Sequence, residues 1–289
     1  MRTSKLIASL SLLFAVALLP TVARAGHNGS PALIRSAIDA NSIDAIQAEL
    51  ERSEFLVCAA CTDMVLPLID HADYRVRKAA AWWLVRRATG RQVFVNMLTR
   101  LSQPDSVKAA NAADVLGEFH AVGAVPALSA ALSNPIFTPE ARAASARALG
   151  SIGKPAAFPA LVTALSSPDP EVKAASLASL RQIQGFQQPD AAAALLTDAD
   201  ETVRGEAALT LGTVLRVGKA GVQPGGVSQL LTVLASDPSV DVRKKAAWSL
   251  GEMGAPVTQA APVLETAANS DSSPAVRSLA RVAISKLTR

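Results

Sequence analysis

From residue 31 onward the chain alternates short amphipathic stretches with polar turns, and its apolar positions recur three and four residues apart. Leu33, Ile34, Ala37 and Ile38, then Ile43, Ile46 and Leu50, predict two short helices by that spacing. From about residue 62 one pattern returns: an acidic turn, Val followed by Arg or Lys, two small residues, Leu, and often Gly. It reads Asp73-Tyr74-Arg75-Val76-Arg77 leading to Ala80-Ala81 and Leu84, then Asp200-Glu201-Thr202-Val203-Arg204 leading to Ala207-Ala208 and Leu211-Gly212, then Val242-Arg243 leading to Ala246-Ala247 and Leu250-Gly251. Seven copies align on Leu84, Leu116, Leu149, Leu180, Leu211, Leu250 and Ile284, at intervals of 32, 33, 31, 31, 39 and 34 residues. A period in that range marks a solenoid.

Four residues before each anchor stand Ala80, Ala112, Ser145, Ser176, Ala207, Ala246 and Ala280, on the same helical face and small enough to admit a neighbouring helix. Gly117, Gly150, Gly212 and Gly251 directly follow their anchors, although a glycine inside a helix costs about 1 kcal/mol relative to alanine. Their recurrence predicts close packing at each repeat. Between these segments lies a further helix, often opened by proline: Val125-Pro126-Ala127-Leu128, Phe158-Pro159-Ala160-Leu161 and Ala261-Pro262-Val263-Leu264. Proline suits a first turn because its missing N–H would be unpaired there. Each repeat is therefore a helical hairpin that buries its apolar stripe only by stacking on its neighbours.

The Val-Arg, Ala-Ala, Leu-Gly and opening-Pro pattern resembles HEAT repeats of the short bacterial type, also seen in phycobilin-lyase-like proteins. The resemblance covers roughly residues 62–289 and implies an all-α, right-handed α-solenoid (an armadillo/HEAT superhelix) of about seven hairpins, usually a protein-binding scaffold. The repeat from Pro189 departs most, having no Pro-Ala-Leu opening, and a Gly-rich turn from Val217 to Gly226 accounts for the 39-residue interval. The expected organisation is a cleavable leader over 1–25, an N-terminal helical cap over 26–61, and the solenoid over 62–289. Arg281 stands where other repeats place Ala or Leu, as a solvated C-terminal cap would require.

Composition then narrows the function. The chain has 289 residues, 50% of them hydrophobic but only 4% aromatic, which excludes a disordered chain and leaves a small, aliphatic core. Its formal charge of +4 would point to an acidic partner such as nucleic acid. However, Arg2 and Lys5 precede an apolar run from Leu6 to Leu19, and Ala23-Arg24-Ala25 offers the small residues of a cleavage site. The run is shorter than the roughly 18 residues of a spanning helix. Cleavage near Ala25 would remove three basic residues and no acidic one, leaving a net charge of +1. The expectation is a periplasmic or secreted protein with no membrane segment in its mature chain and no nucleic-acid partner.

Cys58-Ala59-Ala60-Cys61 is the only cysteine pair, and in an oxidising compartment it predicts a local disulfide before the first repeat's helix. A redox enzyme would call for a βαβ context, haem attachment for His where Thr62 stands, and zinc for two more ligands from His27, His71 and His120. His71 and His120 read as turn or helix-end residues. The paired His-Glu motifs of HEAT-based metal hydroxylases are absent from the sequence, as are a P-loop, a dinucleotide fingerprint and a catalytic triad pattern. Neither an enzyme activity, a cofactor nor a metal is expected. Arg77, Arg142, Lys173, Arg204, Arg243 and Arg277 each lie near an acidic residue of their own or the preceding repeat, such as Asp73, Asp169, Asp200 or Asp237. In HEAT-like proteins that pattern resembles an Asp-Arg ladder between turns.

At about 100° per residue, the positions two before and two after each anchor lie opposite the packed face. They hold Trp82, Arg86, Asp114, Glu118, Arg147, Ser151, Leu209, Thr213, Trp248 and Glu252. The predicted partner-binding face is the concave side, with Trp82, Arg86, Asp114, Glu118, Arg147, Trp248 and Glu252 as its candidate residues. Trp82 and Trp248 share one repeat position; they are either exposed aromatic anchors or rings packed across a neighbouring helix. The expected function is an exported, non-catalytic scaffold that binds a protein partner on its concave face. The alternative is a phycobilin-lyase-like protein holding a tetrapyrrole or apolar ligand. Binding of peptidoglycan or polysaccharide follows from the compartment alone.

Overall fold

The computed structural model describes residues 30–217 and 224–289. The predicted leader and most of the Gly-rich turn, together with His27, lie outside the described residues. The described helices pair into hairpins in chain order: α1 (Pro31–Asp39) with α2 (Ile43–Arg52), α3 (Ala59–Val65) with α4 (Tyr74–Val85), α5 (Gly90–Leu101) with α6 (Ser106–Glu118), and α7 (Val125–Ser133) with α8 (Pro139–Ile152). They continue as α9 (Phe158–Ala164) with α10 (Pro170–Gln182), α11 (Pro189–Ala193) with α12 (Glu201–Val217), α13 (Pro224–Ser236) with α14 (Val240–Met253), and α15 (Val257–Ser270) with α16 (Pro274–Leu287). Among the described residues there are no strands, and the chain is an α-solenoid. The α3 helix straddles the expected cap boundary at residue 61.

Local chemistry starts several of the second helices. Asp73 accepts the Arg75 N–H at 2.7 Å, Asp105 the Lys108 N–H at 3.0 Å, and Asp200 those of Thr202 and Val203 at 2.8 and 3.1 Å. Each carboxylate satisfies amides that have no partner inside the helix. Gly153 and Gly254 end α8 and α14 in the left-handed region, at φ 70°. Pro126 and Pro159 fall in the first turns of α7 and α9, as expected. Pro262 does not: α15 starts at Val257 and encloses it. The backbone bond it deletes would have gone to the carbonyl of Thr258, an exposed residue that water can serve.

The second helices α2, α4, α6, α8, α10, α12, α14 and α16 form a continuous inner row, each packed along the next, while the first helices splay apart on the outside. The seven small residues four before the anchors are fully buried, as are the anchors from Leu84 to Leu250; Ile284, at the open C-terminal end, is partly exposed. The glycines explain how close the inner row can come. A Cβ on Gly117 would lie 3.0 Å from Ala148 Cα, one on Gly150 2.8 Å from Ser179, one on Gly212 2.5 Å from Ser249, and one on Gly251 2.9 Å from Ala283 Cα. In every case the glycine after one anchor meets the residue before the next anchor.

That register also places a set of hydroxyls. Ser179 donates to the carbonyl of Ala146 at 2.8 Å, Thr210 to Leu177 at 3.1 Å and Ser249 to Ala208 at 3.0 Å. These three interfaces in the middle of the stack use the same bond, from the residue before one anchor to the carbonyl three before the previous anchor. Buried hydroxyls require such a partner, so the bonds fix the rotation of each helix against the last.

Candidate functional site

Along the edge made by the turns within hairpins, basic side chains hold adjacent repeats together. Arg204 grips both carboxylate oxygens of Asp237, at 2.7 and 3.1 Å, and donates to the carbonyls of Asp198 and Ala199. Arg243 repeats the arrangement on Asp271, at 2.8 and 3.0 Å, and on the carbonyls of Asp237 and Pro238. Arg142 reaches Asp169 at 3.0 Å, and Lys173 pairs with Asp198. The expected ladder is present, but its direction is corrected: each carboxylate comes from the following repeat, not from the same or preceding one. The basic residue's own turn supplies only carbonyls. Asp73 accordingly pairs with Arg75, and Asp200 caps α12. Arg277, on α16, donates to the carbonyls of Asp271 and Ser272. The Arg243 guanidinium beside Asp271 holds that carboxyl below its usual range.

The inner row presents the predicted binding face. Asp114 is the exception. It is buried, and Arg77 occupies it at 2.6 Å, so it belongs to the ladder and not to an open surface. Burial outweighs that partner and pushes the Asp114 carboxyl up. The remaining charges bridge neighbouring second helices: Lys78 with Glu118 at 3.4 Å, Arg147 with Glu171 at 3.8 Å, Arg181 and Lys245 with Glu206 at 2.8 and 3.3 Å, and Arg216 with Glu252 at 3.6 Å. Lys286 pairs with Glu252 as well. Trp248 is 41% exposed, whereas Trp82 is half-buried beneath the Arg86 guanidinium, 4.2 Å from its ring centroid. Arg86 also meets Glu54 at 3.0 Å.

Curvature of the row creates a groove of about 720 Å³ lined by Tyr74, Arg147, Ser151, Glu171, Gln182 and Glu206. Tyr74 starts α4 and Glu206 lies on α12, so helices four steps apart in the inner row share one concavity. A second hollow of about 410 Å³, lined by Gln47, Lys78, Trp82 and Glu118, holds the predicted tryptophan. Tyr74 escaped the sequence reading because it opens its helix, outside the positions flanking the anchor. Its signal was that it is the chain's only tyrosine. Burial, and after it Glu118, pushes its hydroxyl pKa up.

At the N-terminal end, a cleft of about 830 Å³ opens between the α2–α3 loop and the α4–α5 loop. A disulfide joins Cys58 and Cys61 beside it. Trp83, fully buried, donates its indole N–H to Ser53 Oγ at 3.0 Å, and Arg87 stacks on its ring. One Arg87 nitrogen donates to the carbonyls of Ser53, Glu54 and Leu56, at 3.2, 2.9 and 3.3 Å. Burial, then Arg86, lowers the Arg87 pKa to about 10, which leaves it charged at neutral pH. His71 accepts the Asp73 N–H at 3.0 Å, and His120, left-handed at φ 46°, bonds the Ser151 carbonyl at 2.8 Å. Both serve turns. Among the described residues, no group of three or more His, Cys, Asp or Glu side chains is arranged to hold a metal ion, and no helix is long and apolar enough to cross a membrane.

A family profile for HEAT repeats matches residues 92–181, 137–212 and 189–285, together more than half of the chain. The chain belongs to the HEAT-repeat family. No curated protein sequence matches it. Among solved structures, an engineered protein is similar at 22% identity and TM-score 0.54, over 90% of this HEAT chain and 77% of its own. The X-ray structure of YibA from E. coli is similar at 19% identity and TM-score 0.52, over 90% and 93% of the two chains. The complex of CpcE and CpcF of phycocyanin lyase from Nostoc sp. PCC7120 shows 21% identity and TM-score 0.45, over 78% and 94%. The likenesses to the engineered protein and to YibA speak to the solenoid fold alone.

Proposed function

We propose that this HEAT solenoid is an exported scaffold that binds a protein partner along its concave inner row, without catalysing a reaction there. The groove shared by α4, α8, α10 and α12 is the observation that carries this reading. It is a preformed concavity with Tyr74 at one end and side chains of both signs along it, suited to a peptide segment bearing apolar and charged residues. A rigid surface of this kind loses little freedom on binding. Trp82 and Trp248 extend the same row as aromatic contacts. Export rests on the leader pattern before Ala25, and the intact mass of the protein recovered from the periplasm or medium should correspond to a chain starting near Gly26.

The test is a double replacement, Trp82→Ala with Trp248→Ala, beside Arg147→Glu. Crosslinking in the native host is expected to capture a partner with the unaltered protein and to lose it with either variant, while the thermal midpoint of Arg147→Glu stays unchanged. Capture that survives both variants would overturn the concave-face reading. A visible absorption band copurifying with the protein would favour the tetrapyrrole alternative.

A further inference from the structure

We propose that the Cys58–Cys61 disulfide is a thiol–disulfide exchange site for a cysteine-bearing peptide segment with an apolar residue beside its cysteine. This goes beyond the scaffold reading and rests on other residues, at the edge where successive hairpins join.

The bridge does little as a staple. It closes a ring across a sequence separation of three, and the stabilisation a disulfide contributes through chain entropy grows with the length of the loop it closes, so a ring this short gains little. The loop before it is already fastened by Arg87 to three carbonyls and by Trp83 to Ser53. Its two sulfurs sit in unlike surroundings. Cys58 is half-buried and lines the 830 Å³ cleft, whereas Cys61 is fully buried beneath it. An incoming thiolate therefore has a path to one sulfur only.

The cleft also has a wall that nothing in the fold uses. Phe55 is 85% exposed and Val57 99% exposed, both on the loop leading into Cys58. Single exposed apolar residues are ordinary, but two beside an open disulfide form a contact site for an apolar side chain. Arg86 and Arg87 line the cleft as well, and so do Glu54 and Asp63. The Cys61 N–H lies 3.0 Å from Cys58 Sγ, in place to donate to that sulfur when it carries the negative charge.

The exchange runs in two steps. A partner thiolate attacks Cys58 Sγ; a sulfur–sulfur bond forms to the partner, the Cys58–Cys61 bond breaks, and Cys61 leaves with the electron pair and takes a proton from water. A second partner thiolate then attacks the partner's own sulfur in the mixed disulfide and releases Cys58 as a thiolate. The partner is oxidised to its disulfide and this chain is reduced to the dithiol.

The oxidised full-length protein is treated with reduced glutathione, quenched in acid, alkylated and mapped by mass spectrometry. The glutathione adduct is expected on Cys58 over Cys61 by about tenfold, with the thermal midpoint showing a folded chain. A two-cysteine peptide with Phe beside its first cysteine should react about tenfold faster than the same peptide with Ser there. Phe55→Ser and Val57→Ser should remove that preference and leave the glutathione rate unchanged. Resistance of the disulfide to glutathione, equal attack on both sulfurs, or equal rates for the two peptides overturns the proposal. None of these outcomes bears on the concave groove.

Discussion

The stack from α6 to α16 and the N-terminal end from α1 to α5 solve the same packing problem in different ways. In the stack, glycine meets a small residue at the contacts of α6 with α8, α8 with α10, α12 with α14 and α14 with α16, Arg181 taking that position on α10, and arginine or lysine reaches the next turn's carboxylate at most steps. At the N-terminal end, Val85 stands where later repeats place glycine, a fully buried Trp83 fills the space, and Arg87 binds backbone carbonyls without a carboxylate. The difference separates two kinds of design. Repetition lets one interface serve many times, while α1 and α2 do not carry the repeat's motif, so α4 meets them through residues of its own. The unrepeated residues leave a cleft, a disulfide and exposed apolar side chains, and chemistry specific to this protein has room there.

The largest effect is expected from Trp83→Ala. It removes the largest fully buried side chain among the described residues and takes the indole donor from Ser53, and should cost about 3–5 kcal/mol. If the N-terminal end is a unit of its own, hydrogen exchange will show α1–α4 losing protection while α8–α16 keep theirs. A single cooperative loss along the whole chain would unite the two regions. Next, Arg243→Ala takes the charged partner from the half-buried Asp271 and leaves it the Ser273 N–H, and should cost about 2–3 kcal/mol, whereas Arg87→Ala frees only carbonyls and should cost about 1–2 kcal/mol; chemical denaturation compares them directly.

The ladder carries a pH signature as well. Arg243 lowers the folded-state pKa of Asp271, so this pair's contribution is fully present above the unfolded value of about 3.9 and lost as pH falls through the lower folded one. The stability gap between the unaltered protein and Asp271→Asn should therefore narrow below about pH 4. The smallest net effect belongs to Gly212→Ala, where the added Cβ would meet Ser249 and shift α14 while alanine's better helix propensity offsets part of the loss, leaving about 1 kcal/mol or less in denaturant unfolding.

Much of the stack was legible because its signals are local and recur. The anchors, the small residues four before them and the glycines after them each repeat on one helical face, and each ended where the period placed it. Asp114 shows where that logic stops. Its register position is the same as that of Arg147, yet Arg77 folds over it and buries it. Pro262 shows the same limit for helix starts, since the turn before it is α-helical in α15, whereas those before α7 and α9 are 3₁₀ turns, Val122–Ala124 and Pro155–Ala157. Tyr74 entered the groove only because helices distant in sequence curve toward one another.

Periodicity along the chain determined that this protein stacks helical hairpins, which residues pack between them, and which face stays polar, since those follow from helix geometry and side-chain size. Tertiary structure decided which carboxylate each arginine meets, where curvature gathers a groove, and that Cys58 opens to a cleft while Cys61 does not. Those depend on the rotation and displacement of one repeat against the next, small per step and accumulated over the stack.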